Sequence, residues 1–284
     1  MGIPGEEAGL KGVYFGIDFL KNVNLKNFVQ VGNRVAVIGG GNTAMDAARS
    51  ALRLGAKKVD VYYRRSREEM PVSSEEYDEA VEEGITVNFL VAPTEIIGNN
   101  GRATSMQCVR MKLGKPDASG RRKPEPIPGS EFVVEADTII PAIGQLVDTS
   151  FLPSDNAIAI TKWGTFTVNK NTLATNVPGA FAGGDCVSGP GMAIHAIAAG
   201  RRAAFGIHKF LRGDHSRVDL SENRQDITHM SAYHEEEMKE KRRLPVQCTL
   251  SHERIKSFAE VEVGYSEEVA REEAKRCLRC DLSK

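Results

Sequence analysis

A short apolar run, Val35-Ala36-Val37-Ile38, breaks into Gly39-Gly40-Gly41 and resumes with helical spacing over residues 44–54. A second apolar run, residues 59–63, begins about 20 residues after the glycines. This pattern predicts strand, tight turn, helix, strand. Further on, a polar stretch at 74–83 reads as a helix stopped by Gly84, and 85–91 as a third strand. Residues 94–102 read as a strand entering a polar turn. Residues 103–113 and 131–134 alternate as antiparallel strands do. Between them, 114–129 is rich in proline, glycine and charge and reads as an exposed excursion. Residues 136–144 form a buried strand ending in a glycine turn, and 192–211 a long apolar helix. Upstream, Ile3-Pro4-Gly5 reads as a turn and 13–23 as a short helix.

The order of the first elements gives the glycines a chemical meaning. Gly39 permits the tight turn, Gly41 lets a pyrophosphate approach the backbone, and Ala44 keeps the helix close to the strand. The helix then presents its free N–H groups and positive end to phosphate. The second strand ends in Tyr63-Arg64-Arg65-Ser66-Arg67, where an NAD site carries an acidic residue. Guanidinium groups match phosphate in charge and fork geometry. Arg64, Arg65 and Arg67, with Ser66, are therefore expected on the 2′-phosphate of NADP.

Composition narrows the classes. The 284 residues suffice for two modest domains, and 37 basic against 38 acidic residues leave a net charge of -1, with no polyanion-binding excess. No apolar run approaches a membrane span of roughly 20 residues, and residues 1–7 lack a signal pattern. The expected location is the cytoplasm. Five cysteines without a disulfide-framework spacing fit a reducing compartment. Cys108, Cys186 and Cys248 read as buried or incidental thiols. Trp163 reads as packing a hairpin.

Taken together, Gly39-Gly40-Gly41-Asn42-Thr43-Ala44-Met45-Asp46, Tyr63-Arg64-Arg65-Ser66-Arg67, Met70-Pro71, the run from Ala136 to Gly144-Gln145, Gly179-Ala180-Phe181-Ala182-Gly183-Gly184-Asp185 and Gly191-Met192-Ala193-Ile194-His195 resemble the two-dinucleotide flavoprotein reductases. The likeness is greatest to the small subunit of NADPH-dependent glutamate synthase and to the flavoprotein subunit of ferredoxin:NADP oxidoreductases. It covers about residues 33–211. The resemblance implies an α/β fold: a Rossmann-like NADP-binding domain with a small antiparallel insertion, plus the C-terminal half of an FAD-binding domain.

It also implies NADP(H) and FAD as cofactors. Gly39, Gly41, Asn42, Thr43, Ala44, Gly144 and Gln145 belong to its dinucleotide motifs. Asp185 would hydrogen-bond the ribityl chain of FAD, and the helix beginning near Met192 and Ala193 would point at the flavin. His195 reads as packed or adjacent to the flavin ring rather than as an acid–base group. No Gly-x-Gly-x-x-Gly unit precedes residue 33, so the other half of the FAD site is expected either from a partner subunit or from a longer chain of which this one is a fragment. The implied domains are a lead-in at 1–32, the NADP unit at 33–145, the FAD half at 146–213 and a charged tail at 214–284. The dense charge run at 235–243 reads as a solvated helix or linker.

The tail closes with Arg276-Cys277-Leu278-Arg279-Cys280, which reads as the end of an amphipathic helix from 267. Spacing of i, i+3 places both thiols on one side of a helical turn, with Arg276 and Arg279 favouring thiolate. A redox dithiol, a zinc site and an iron–sulfur cluster remain open. The resemblance implies that Cys277 and Cys280 are half of a [4Fe–4S] ligand set, completed by a partner or by further sequence; the alternative is a pair of unliganded thiols. The expected reaction is hydride transfer between NADPH and FAD with electrons passing onward, and it requires no catalytic side chain. The alternatives are a nucleotide-binding assembly subunit without turnover, and a dithiol reductase like thioredoxin reductase. No Cys-x-x-Cys lies between Gly39 and Gly144, which counts against the latter.

Overall fold

The computed structural model describes residues 1–116, 120–145, 147–153, 155–213 and 242–277. These fall into two compact units, one of residues 1–143 with 242–277 and one of residues 144–213. The first unit runs α1 (Gly16–Asn24), β1 (Arg34–Ile38), α2 (Asn42–Arg53), β2 (Lys58–Tyr63), α3 (Ser74–Glu82), β3 (Thr86–Phe89), β4 (Val91–Asn99), β5 (Arg102–Pro116), β6 (Arg122–Pro126), β7 (Phe132–Glu135) and β8 (Thr138–Pro141). The second contains α4 (Asp185–Ser188) and α5 (Ala193–Arg212). The chain then re-enters the first unit with β9 (Gln247–Cys248), α6 (Ser251–Arg254), β10 (Glu262–Gly264) and α7 (Glu267–Ala274).

A parallel sheet ordered β3-β2-β1-β8 forms the middle of the first unit. Side chains alternate across a strand, so β1 serves two cores at once. Val35 and Val37 join Val59, Val61 and Ile140 in a cluster with α2, whose Ala44, Ala47, Ala48 and Ala51 are all fully buried. That stripe of methyl groups lets the helix axis lie close to the sheet. Ala36 and Ile38 join Tyr62 and Ile139 on the opposite face, against Ile96, Met106 and Cys108. Each large side chain buried this way contributes about 1.5–3 kcal/mol. Burial on both faces is why β1 reads as an unbroken apolar run.

The opposing layer is the antiparallel sheet β4-β5-β6, with β7 also paired to β5. Asn100 and Gly101, both with positive φ, turn β4 into β5. The excursion expected at 114–129 contains a strand, because β6 pairs with the extension of β5 from Met111↔Pro126 to Pro116↔Arg122. Its prolines, Pro124 and Pro126, masked it, and such prolines are tolerated at a sheet edge.

The lead-in helix starts at Gly16 rather than at residue 13. Val13 is used instead to extend the sheet beside β8: Tyr14 N–H donates to Ile139 O at 3.1 Å and Ile139 N–H to Gly12 O at 2.8 Å. Asp137 secures the entry to β1. Its carboxylate accepts from Asn33 N at 2.8 Å, from Arg34 N at 3.1 Å and from Arg34 Nε at 3.0 Å.

In the second unit, α5 packs on the turn at Gly183-Gly184, and Phe181 meets Phe210 edge-on at 5.9 Å. Gly206 fits where Thr172 passes, for a Cβ there would lie 2.1 Å from the Thr172 carbonyl oxygen. Trp163 lies in the turn between Ile160 and Phe166 but is 74% exposed, with Lys162 over its ring, so it does not pack the hairpin as expected. His195, near the start of α5, is exposed.

Candidate functional site

The glycine turn lies where β1 ends and α2 begins. Gly39 has φ +145°, and a Cβ on it would lie 2.3 Å from the Ala142 carbonyl oxygen and 3.3 Å from the Ala44 methyl. Only glycine fits there. Gly40 lies against the Tyr63 ring, whose Cδ2 would be 2.5 Å from an added Cβ. At Gly41 the same test finds no protein atom within 4 Å. Gly41 is also the N-cap of α2, and no side chain caps the helix. The turn thus combines uncapped N–H groups with open space above a glycine, which fits a pyrophosphate. Asn42 and Thr43 form the first turn of α2, and Ala44 beneath it is fully buried. The role of Gly40 against Tyr63 was not readable from spacing, because the contact joins two strands.

The end of β2 is the immediate neighbour of this turn. Ile38 pairs with Tyr62, and Gly39 N–H donates to Tyr62 O at 3.0 Å. The three arginines that follow have different surroundings. Arg64 is exposed and forms no ion pair among the described residues. Arg65 is only 7% exposed, and its Nε donates to the Arg122 carbonyl at 3.0 Å. Arg67 is half-buried, stacked 4.4 Å over the Tyr77 ring with Nη2 3.3 Å from Ser74 Oγ. Ser66 forms a capping box with Glu69, and its hydroxyl also reaches the Glu68 carboxylate. The backbone of this loop is held by Tyr63, whose hydroxyl donates to Glu69 O at 2.8 Å.

Beside the turn, Asn42 lines a cleft of about 590 Å³ with Ser73, Glu76, Glu79, Pro245 and Val246. The returning segment 242–277 therefore lies near the start of α2, a placement no sequence motif announced. Cys248 in that segment is exposed, with its Sγ 3.7 Å from Glu79 Oε1. Cys108 is buried in β5, and burial pushes its thiol up to about 12.

In the second unit Gly184, at φ +73°, precedes Asp185, which is exposed and whose carbonyl accepts from Gly189 N at 2.9 Å. Met192 is the N-cap of α5 and uses no side chain to cap it. Ala193 begins the helix, and Met192, Ile194 and Ile197 are all exposed. This is a donor end beside an apolar surface, compatible with a flavin ring. Gly144 has φ +113°, and Gln145 after it is exposed.

At the tail, α7 ends at Ala274, short of the expected Cys280. Cys277 lies beyond the helix and is exposed, while Cys280 and the run 235–241 lie outside the described residues. Arg276 is paired to Glu273. Among the described residues no group of three or more histidine, cysteine or acidic side chains is placed to hold a metal.

The family model for pyridine nucleotide-disulphide oxidoreductases matches residues 1–200. The chain belongs to that family. It is 46% identical over 286 residues to the NADP(+)-dependent formate dehydrogenase subunit beta of Moorella thermoacetica, covering 99% of this chain and 40% of that one. It is 42% identical over 309 residues to the NADPH-Fe(3+) oxidoreductase subunit beta of Geobacter sulfurreducens, covering 99% and 46%. With the glutamate synthase [NADPH] small chain of Azospirillum brasilense it shares 39% over 224 residues, covering 74% and 45%. The chain spans less than half the length of each of these relatives.

Among solved structures, thioredoxin reductase from T. acidophilum matches with TM-score 0.56 at 25% identity, covering 75% of this chain and 61% of that one. FprA of Mycobacterium tuberculosis in complex with NADPH matches with TM-score 0.60 at 19% identity, covering 75% and 61%, a likeness of fold alone. Pyridine nucleotide-disulphide oxidoreductases bind FAD and NADP, and both expected cofactors therefore agree with the family. No helix among the described residues is long and apolar enough to cross a membrane.

Proposed function

We propose that this chain is the NADP(H)-binding part, with a portion of the FAD-binding part, of a cytoplasmic flavoprotein oxidoreductase subunit that exchanges hydride between NADPH and FAD and passes electrons to a partner's iron–sulfur centres. One observation carries the reading: the open turn at Gly41 and the arginine loop at 64–67 stand at the ends of adjacent parallel strands. The pyrophosphate would rest on Gly39, Gly41 and the first turn of α2 at Asn42, Thr43 and Ala44. The 2′-phosphate would meet Arg64 and Arg67, with Arg65 holding the loop from within. Asp185, Met192 and Ala193 would serve the flavin, and Gly144 and Gln145 would also be cofactor-binding. Bound together, the two cofactors supply the hydride and electron chemistry, and the chain's residues bind and orient them.

The names of the relatives support NADP as the nucleotide and a multi-subunit setting. Cys108 is the one cysteine between Gly39 and Gly144, and burial keeps it protonated, which counts against a dithiol mechanism in this unit. Cys277 and Cys280 are proposed as half of a cluster's ligands. Titrating the chain with NADP+ and NAD+ by calorimetry tests the nucleotide assignment. NADP+ should bind more tightly, and Arg64→Ala should erase most of the difference, since a charge-assisted contact is worth about 1.5–3 kcal/mol. A native preference for NAD+ would refute the reading. Iron content after co-expression with the partner subunit, with and without Cys277→Ser and Cys280→Ser, tests the tail. A cluster that survives both substitutions removes these residues from its ligand set.

A further inference from the structure

Arg122 reaches the arginine loop from the antiparallel insertion. It begins β6, an edge strand contributed by the excursion between β5 and β7. Its carbonyl oxygen accepts from the Nε of buried Arg65 at 3.0 Å. Its own Nε donates to Glu69 Oε1, and its Nη2 lies 3.8 Å from Glu68 Oε2 and 3.5 Å from Ser66 Oγ. One residue therefore touches four positions of the 65–69 segment.

The charge pattern gives this contact a purpose. A loop that receives a phosphate dianion carries two carboxylates, Glu68 and Glu69, directly after its arginines. Unopposed, they would repel that phosphate and compete for the guanidinium groups and for the Ser66 hydroxyl, to which both are bonded. Arg122 pairs with both. It holds the Glu69 carboxyl below its ordinary range, and Ser66 does the same for Glu68, so both remain ionised and partnered.

We infer that Arg122 is a positioning residue for NADP specificity. From the insertion it neutralises Glu69 and Glu68 and fixes Arg65, so that the loop accepts the 2′-phosphate. This rests on the NADP reading above. The insertion is then part of the specificity apparatus rather than a peripheral decoration.

The test uses the full chain and measures dissociation constants for NADP+ and NAD+ by calorimetry. Wild type, Arg122→Ala, Arg122→Lys, Glu69→Gln and the double variant Arg122→Ala with Glu69→Gln are compared, with thermal melts to verify folding. Arg122→Ala should weaken NADP+ roughly tenfold and leave NAD+ unchanged. Arg122→Lys should retain part of the preference. Removing the Glu69 charge in the Arg122→Ala background should restore most of the loss. Equal weakening of both nucleotides would make Arg122 merely structural and overturn the proposal. So would an absence of rescue, which would place Arg122 on the phosphate itself or out of the pathway. If wild type shows no preference for NADP+, the 2′-phosphate reading itself fails, an outcome distinct from a wild-type preference that Arg122→Ala leaves intact.

Discussion

Arg254 and Glu83 meet in the interior of the first unit, Nε to Oε1 2.8 Å, with the Glu83 side chain fully buried. The same carboxylate accepts from Arg49 Nη2 at 2.7 Å and from Arg53 Nη1 at 2.9 Å, both on α2. Arg254 also donates from Nη2 to Glu79 O and to Glu82 Oε2, each at 3.1 Å. Its Nε is too poorly aligned to donate to Glu83 despite the short distance. A single acidic group thus joins α2, α3 and the returning segment.

Loss of Glu83 takes a carboxylate partner from three guanidinium groups at once, whereas loss of Arg254 leaves Glu83 with two partners. Glu83→Leu should therefore cost about 3–5 kcal/mol, and Arg254→Ala about 1–3. Urea unfolding of the full chain measures both. In Arg254→Ala, protease cleavage should appear first within 242–277. A larger cost for Arg254→Ala than for Glu83→Leu would contradict the shared-carboxylate picture.

Acid should act through the same group. Burial raises the Glu83 carboxyl, but hydrogen bonds from Arg49 and Arg53 outweigh it and hold the group below its ordinary value. Asp137 is also lowered, its Arg34 bonds outweighing burial. A carboxyl depressed on folding contributes stability that is complete above its unfolded value and disappears as pH falls through the folded one. Stability should thus decline below about pH 4. Glu83→Gln should flatten that decline in urea titrations at stepped pH. An unchanged slope would show that Glu83 is not a main acid-sensitive group.

The glycine turn separates folding from binding. Gly39→Ala meets both a positive φ and the Ala142 carbonyl, so it should destabilise the chain by at least 1–3 kcal/mol (an order-of-magnitude figure). Gly41→Ala meets no protein atom within 4 Å and has φ −95°, so its melting temperature should stay near wild type. It should nonetheless weaken NADP+ by roughly tenfold or more, because the methyl takes space needed for the pyrophosphate. Wild-type affinity in Gly41→Ala would move the ligand elsewhere.

In α5 two glycines should behave oppositely. Gly206→Ala forces a methyl onto the Thr172 carbonyl and should cost about 1–3 kcal/mol. Gly200 is exposed with open space around it, and Gly200→Ala should add about 0.5–1 kcal/mol. Calorimetric melts of the two variants decide the matter.

Local chemistry was legible in the sequence where a single short stretch carries it. The turn at Gly39–Gly41, the helix after it, the hairpin at Asn100-Gly101 and the helix from Ala193 all follow from periodicity and glycine placement. What escaped were pairings between distant stretches. Val13 was assigned to a helix because its competition for Ile139 is non-local. β6 was hidden by its prolines, and Arg65 looked as available as Arg64 until the Arg122 carbonyl appeared beside it. The exposure of Trp163 escaped for the opposite reason, since residue type alone favours burial of a large ring.

The segment holding Arg254 reaches the first unit only after residues 144–213 have intervened in the chain. During synthesis Glu83 is thus made with Arg49 and Arg53 but must wait for its third guanidinium until the whole second unit has emerged. The first unit is discontinuous along the chain, and closing it is a late, long-range event. To isolate it as a compact module, one would have to rejoin two separated coding stretches. A simple truncation after residue 143 would leave a buried carboxylate short of a partner.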